Sequence, residues 1–156
     1  MEYLILLQRE YMAYKKILVA VDGSDISTLA MQEAIKLAKD LHAKIRVIYV
    51  ADELITVGDG VSFDYERFEI AVRGFGQSIL QNMESLAKLS GVTVESCIVD
   101  NADHSARIPE RIVQDASEWH ADLLVVGTHG RRGFSHFLLG SVAEGVMRIA
   151  TIPVLL

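Results

Sequence analysis

Lys16–Val21 reads K-I-L-V-A-V, a run in which every position after the first is apolar. Successive side chains of a strand point to opposite faces, so such a run must be buried on both of them. That requires a layer above and a layer below, the arrangement of a parallel sheet covered by helices. Ile45–Val50 (I-R-V-I-Y-V) and Asp122–Gly127 (D-L-L-V-V-G) repeat the pattern. Val92–Val99 alternates with period two, and Pro153–Leu156 supplies a fifth strand-like segment.

Helical stripes lie between these runs. Ala30, Ala34, Leu37, Ala38 and Leu41 form one, and Phe68, Val72, Phe75, Ile79, Met83 and Leu86 form a longer one. Gly74 and Gly76 fall inside the longer stripe and predict an interruption of a straight helix there. Ile108, Ile112, Ala116 and Trp119 make a third, with Pro109 suited to a first turn. Val142, Val146 and Ile149 make a fourth. All four read as core faces. The predicted order is β-α-β-α-β-α-β-α-β, an α/β fold of one domain with an open parallel sheet and right-handed crossovers.

Composition agrees and narrows the function classes. The 156 residues are 51% apolar and 23% charged, with a net charge of −6. Apolar content at this level excludes a disordered chain, and a chain of this length buries roughly 70% of its unfolded surface. The single cysteine, Cys97, excludes a disulfide framework and fits a reducing, cytoplasmic setting. No apolar run approaches the roughly 18 residues of a membrane span, and the acidic balance argues against a nucleic-acid partner. Residues 1–13 read as an N-terminal extension to a domain over residues 14–156. Met1–Leu7 does not resemble a signal peptide, and Met12 is the expected true start.

In an open α/β sheet, ligands bind beyond the carboxyl ends of the strands, where the strand order switches direction. Three segments leave strands at that edge: Asp22-Gly23-Ser24, Val50-Ala51-Asp52 and Gly127-Thr128-His129-Gly130. Ala51–Ser62, with Gly58 and Gly60, is the least regular stretch and a candidate lid. The segment from Gly127 to Val142 carries the strongest signal. Its glycines permit close backbone approach or positive φ, and Gly140-Ser141 precedes a helical pattern whose first amides would face an anion. No acid occurs from Leu123 to Ala143, and Arg131 and Arg132 fall within that window. Phosphate is the expected ligand. A structural explanation competes at each point. Ser141 with Glu144 also reads as a capping box, and Gly127 and Gly130 also read as chain-turning residues. Asp22 suits ribose hydroxyls, or equally a helix cap or turn.

The V-A-V-D-G-S opening (Val19–Ser24) and the A-D-L-L-V-V-G-T-H-G run (Ala121–Gly130) resemble the universal stress protein family. The resemblance spans nearly all of residues 15–156. The spacing G-2x-G-9x-G-S at Gly127, Gly130, Gly140 and Ser141 is similar to that of the ATP-binding branch. It implies a Rossmann-like sheet of order 3-2-1-4-5 and a homodimer through the last strand. It further implies that Asp22 contacts ribose and that Val50 offers backbone groups to adenine. By the same resemblance Gly127 and Gly130 lie against ribose and α-phosphate, and Gly140, Ser141 and Val142 hold the outer phosphates. Arg131 and Arg132 rank lower, because the family's pattern is loose between the glycines. A Mg ion would bridge the phosphates of ATP, although no carboxylate cage for it is visible.

Motifs of other chemistries are absent: the sequence has no P-loop, no G-x-G-x-x-G after a strand and no G-x-S-x-G. The five histidines include no H-x-x-x-H pair, so no structural metal is expected. Cys97 reads as a buried apolar residue. The phosphate segment lacks a carboxylate base, and His129 is the one candidate to position water, so turnover is expected to be slow or absent. The sequence therefore predicts an ATP-, ADP- or AMP-binding regulatory or stress-response switch. The alternatives are a slow ATPase or nucleotidyl-transfer enzyme and a nucleotide-free interaction module.

Overall fold

β1 (Lys16–Ala20) occupies the centre of a five-stranded parallel sheet. It pairs with β2 (Lys44–Ala51) on one side and β4 (Leu123–Val126) on the other, so Ile17 lies opposite both Ile45 and Leu123. β3 (Val94–Asp100) lies outside β2 and β5 (Val154–Leu155) outside β4, which gives the order 3-2-1-4-5. The intervening helices are α1 (Asp25–Leu41), α2 (Tyr65–Leu89), α3 (Ile108–Glu118) and α4 (Ser141–Ile149). The computed structural model describes residues 14–51, 64–101, 106–130 and 139–156. The expected element order is observed, as is the strand order that the resemblance implied.

The two-sided burial of β1 is realised literally. Ile17, Val19 and Val21 face α1 and α2 in one core, together with Met31, Ala34, Leu80 and Met83. Leu18 and Ala20 face α3 and α4 in the other, with Ile112, Ala116 and Val146. Ile17, Leu18 and Val19 are fully buried. Each such side chain contributes about 1.5–3 kcal/mol, so a polar residue at either parity would open one of the cores.

Local sequence explains where the elements begin. α1 starts a turn before its apolar stripe because Ser24 caps it, accepting from Ser27 N at 3.1 Å. α3 starts after Arg107, whose amide donates to Glu110 Oε2 at 2.7 Å, with Pro109 in the first turn as expected. The predicted interruption at Gly74 and Gly76 does not occur, and α2 runs unbroken for 25 residues. Gly76 is there for contact: a Cβ would lie 2.7 Å from Tyr49 Cε1, so only a bare helix backbone packs on that ring. Ile79, Leu80, Met83 and Ala87 then hold the second half of α2 to the sheet. Phe75 meets Tyr49 edge-on, with ring centroids 6.3 Å apart.

The opposite edge of the sheet carries an ionic cluster that the sequence did not announce. Arg46 grips Asp115 of α3 through Nε (2.8 Å) and Nη2 (3.0 Å), and reaches Glu95 of β3 at 2.8 Å. Bonding to Asp115 raises its pKa still further, so the guanidinium is permanently charged. Lys16, Lys44 and Arg46 all approach the Trp119 ring, at 5.2, 5.3 and 6.0 Å from its centroid.

Candidate functional site

The chain leaves β1 in one direction through α1 and β2, and returns to its other side through α3 and β4. The carboxyl ends of β1 and β4 are therefore the switch point. A cleft of about 530 Å³ opens there. Its lining includes Asp22, Val50, Gly127, Gly130, Gly140, Ser141 and Val142, so seven of the residues singled out in the sequence converge on it. Arg131 and Arg132 lie outside the described residues, as do residues 52–62 of the candidate lid Ala51–Ser62 and residues 131–138 of the acid-free window; Ala51 itself ends β2.

Asp22 follows β1 directly. Its Oδ1 accepts from Ser24 N (3.0 Å) and Ser24 Oγ (2.6 Å), which orients the cap of α1. The helix cap is thus Ser24, and Asp22 secures the turn beneath it. Oδ2 lies against the Gly130 backbone, where a Cβ would come within 2.8 Å of it. Ser27, only 3% exposed, supports the same turn by donating to Ser24 O at 2.9 Å.

Turn 127–130 is docked on the start of α4 by a bond from Gly140 N to Thr128 O at 2.8 Å. A Cβ on Gly140 would lie 3.1 Å from Thr128 O and 3.2 Å from His129 Cα. None of Gly127, Gly130 and Gly140 adopts positive φ. They are required for close approach between backbones and to the carboxylate, not for turning the chain. Valine at Gly130 or Gly140 would therefore press on the protein itself before any ligand arrives.

Gly140 is the cap of α4 and Ser141 its first helical residue, so the capping box proposed for Ser141 and Glu144 is not formed. Glu144 instead pairs along the helix with Arg148 at 3.1 Å. The first intrahelical donor is Glu144 N, to Gly140 O at 2.9 Å, so the helix supplies no acceptor for the amides of Ser141, Val142 and Ala143. Those amides lie at the positive end of the helix dipole, in the cleft wall.

Sequence reasoning missed part of the lining. Ile108 and Ile112 of α3 form an apolar wall, and Tyr49 another. Their stripe gave no hint, because the same isoleucines also pack in a core. His129, the one candidate to position water, is half-buried in the lining. Its Nδ1 lies 3.1 Å from Thr128 Oγ1, and its Nε2 is buried with no hydrogen-bond partner. Such an orphaned polar atom costs about 1–3 kcal/mol. Among the described residues no cluster of three metal-ligating side chains occurs, and no helix is long and apolar enough to cross a membrane.

Comparison with known proteins gives a consistent family. The model of the Universal stress protein family matches residues 13–156. A universal stress protein of Methanocaldococcus jannaschii is 36% identical over 142 residues, covering 91% of this chain and 81% of that protein. A crystal structure of a family protein from Burkholderia pseudomallei superposes with a TM-score of 0.75 at 32% identity, over 92% of this chain and 96% of that one. A universal stress protein solved in complex with cAMP superposes at 0.67 with 30% identity, over the same shares of the two chains.

Proposed function

The chain belongs to the universal stress protein family, and from that premise we propose that it binds an adenine nucleotide, ATP foremost, as a nucleotide-dependent regulatory or stress-response switch. The observation that carries this reading is the meeting of a carboxylate, a glycine turn and a helix N-terminus in one cleft at the strand switch point. A neighbour's complex with cAMP supports an adenine nucleotide as the ligand.

Each residue has a role suited to its chemistry. Asp22 accepts from ribose hydroxyls, already oriented by Ser24. Val50, at the end of β2, offers backbone groups to adenine, and Ile108 and Ile112 supply apolar surface for the base. Gly127 and Gly130 let ribose and α-phosphate lie on bare backbone. The amides of Ser141 and Val142, with the Ser141 hydroxyl and the Gly140 cap, receive the outer phosphates. Arg131 and Arg132 add charge from the same connection. A Mg ion would bridge phosphate oxygens and be held mainly by the nucleotide.

Residues 14–156 form the nucleotide-binding domain in this reading, with 1–13 as an extension, and the setting is cytoplasmic. Homodimerisation runs through β5, where Leu155 and the following Leu156 are 40% and 42% exposed. A switch requires that nucleotide bind two conformations with different affinity.

Calorimetric titration of ATP with magnesium tests the reading, with denaturing extraction beforehand to detect co-purified nucleotide. Micromolar binding or retained nucleotide is expected. Neither would leave the cleft without its ligand and favour a nucleotide-free interaction module.

A further inference from the structure

The first turn of α3 rests on the middle of α4 at a point where α4 carries no side chain. A Cβ on Gly145 would lie 2.5 Å from Pro109 Cγ and 2.9 Å from Pro109 Cβ. Carbon atoms in contact keep about 3.5–4.0 Å, so an alanine here would need about 1 Å more between the helices. The far end of a flexible side chain could swing aside, but a pyrrolidine ring closes on its own backbone and cannot. Neither residue lines the cleft, yet their neighbours do. Ile108 precedes Pro109 and Ile112 follows one turn later, while Val142 and Ala143 lie within a turn of Gly145, and all four are in the lining. From this seat of a proline ring on bare helix, we infer that Gly145 is a positioning residue: it sets how closely the apolar wall of α3 approaches α4, and thereby the fit of the site to the adenine base. The inference rests on the nucleotide-binding reading above and concerns its base half.

Glycine at this place needs a reason. Gly145 is the fifth of the nine residues of α4, an interior position where glycine weakens a helix relative to alanine. Helix propensity therefore argues against it, and the contact with Pro109 argues for it. The same contact lets Ile108, Ile112, Val142 and Val146 share one core cluster.

The two helices are not equally free to yield. α4 is pinned at its start by the bond from Gly140 N to Thr128 O at 2.8 Å, and along its length by the buried Ala143 and Val146. α3 is pinned towards its other end. Asp115 accepts both bonds from Arg46, at 2.8 and 3.0 Å, and Trp119 O accepts from Lys16 Nζ at 2.8 Å. Between these anchors and Pro109, Arg111 Nε donates to Asn101 Oδ1 at 3.1 Å, through a long side chain that can follow a small shift. A larger residue at position 145 therefore tilts the start of α3 outward about Asp115. Ile108 moves with it and the amides at the start of α4 stay. A ligand then loses apolar contact at its base and keeps its donors at its phosphates.

The test measures ATP, adenosine and 1,N6-ethenoadenosine, whose base is larger by a fused ring, on the wild-type chain, Gly145→Ala and the double variant Pro109→Ala/Gly145→Ala. Calorimetry reads ATP, and displacement of ATP reads the two nucleosides. Gly145→Ala is expected to weaken ATP and adenosine by the same factor, roughly three- to tenfold. Ethenoadenosine is expected to lose less, because the opened wall accommodates the larger base. The melting temperature is expected to stay near that of wild type, since alanine is the better helix former. The double variant puts a methyl group where the proline ring was, and is expected to bind adenosine as wild type does. Unchanged adenosine affinity in Gly145→Ala would mean that the contact does not reach the base. A greater loss for ATP than for adenosine would mean that α4 had yielded instead. Equal losses for the two nucleosides, or a double variant as weak as Gly145→Ala, would mean general loosening. Each of these overturns the inference and leaves nucleotide binding intact, as does a wild-type chain that takes ATP and not adenosine. A wild-type chain that binds neither overturns both. Should Gly145→Ala fail to fold, the double variant decides: wild-type adenosine affinity is expected, and a folded double variant with weakened adenosine binding overturns the assignment.

Discussion

A single atom at Gly130 separates a working turn from a blocked one. Asp22 Oδ2 already occupies the space that a Cβ would need, 2.8 Å away. Gly130→Ala is therefore expected to displace the carboxylate from Ser24 and lower stability by about 1–2 kcal/mol, read as a fall in the urea midpoint. Cys97, expected to be buried, is only half-buried on β3 and illustrates the opposite kind of residue, one whose reactivity is damped. Burial raises its thiol pKa, against a smaller lowering by Arg46. The native protein is expected to resist alkylation by iodoacetamide at neutral pH and to react readily once unfolded, which mass spectrometry measures. At this scale the sequence showed which residue types meet, since Asp22, Gly130 and Ser141 stood at strand and helix ends. The solitude of His129 Nε2 was not legible. Whether one ring nitrogen finds a partner depends on packing among segments far apart in the chain, and no local pattern encodes it.

Elements were legible where apolar period and length agreed. The runs in β1, β2 and β4 admit no reading but two-sided burial, and α3 carries its proline and its apolar face in register. α2 was misjudged because a glycine in a helix has two meanings. Gly76 makes room for Tyr49, whereas a Cβ on Gly74 would meet nothing within 4 Å. The two positions should respond oppositely to alanine. Gly74→Ala is expected to stabilise by about 0.5–1 kcal/mol through backbone entropy, and Gly76→Ala to destabilise by roughly 1–3 kcal/mol through overpacking. Urea denaturation of the two variants measures both signs. The start of α1 was half legible: Asp22 was offered as a cap or turn residue, but the cap is Ser24, held by Asp22, without the glutamate or glutamine three residues on that marks a capping box.

Taken whole, the molecule separates its duties between the two edges of one sheet. The cleft occupies the carboxyl edge, and the Arg46 cluster ties β2, β3 and α3 together toward the other. The side chains of Arg46 and Asp115 are 21% and 11% exposed, so removing one leaves the other charge poorly solvated. The sheet also closes over a long chain separation. Lys15 N and Lys16 N bond the carboxylate of Asp122, 107 and 106 residues away, at 2.8 and 3.0 Å. β1 is thus synthesised first among the strands, yet one of its two neighbours emerges from the ribosome more than a hundred residues later. Until β4 is made, the centre of the future sheet is an open edge, and Asp22 has no glycine turn to face. A nascent chain halted before α4 possesses every residue of the first half-site and no pocket. On the proposed reading, nucleotide capture therefore waits for the end of translation: the cleft is complete only in a polypeptide made through to its final helix.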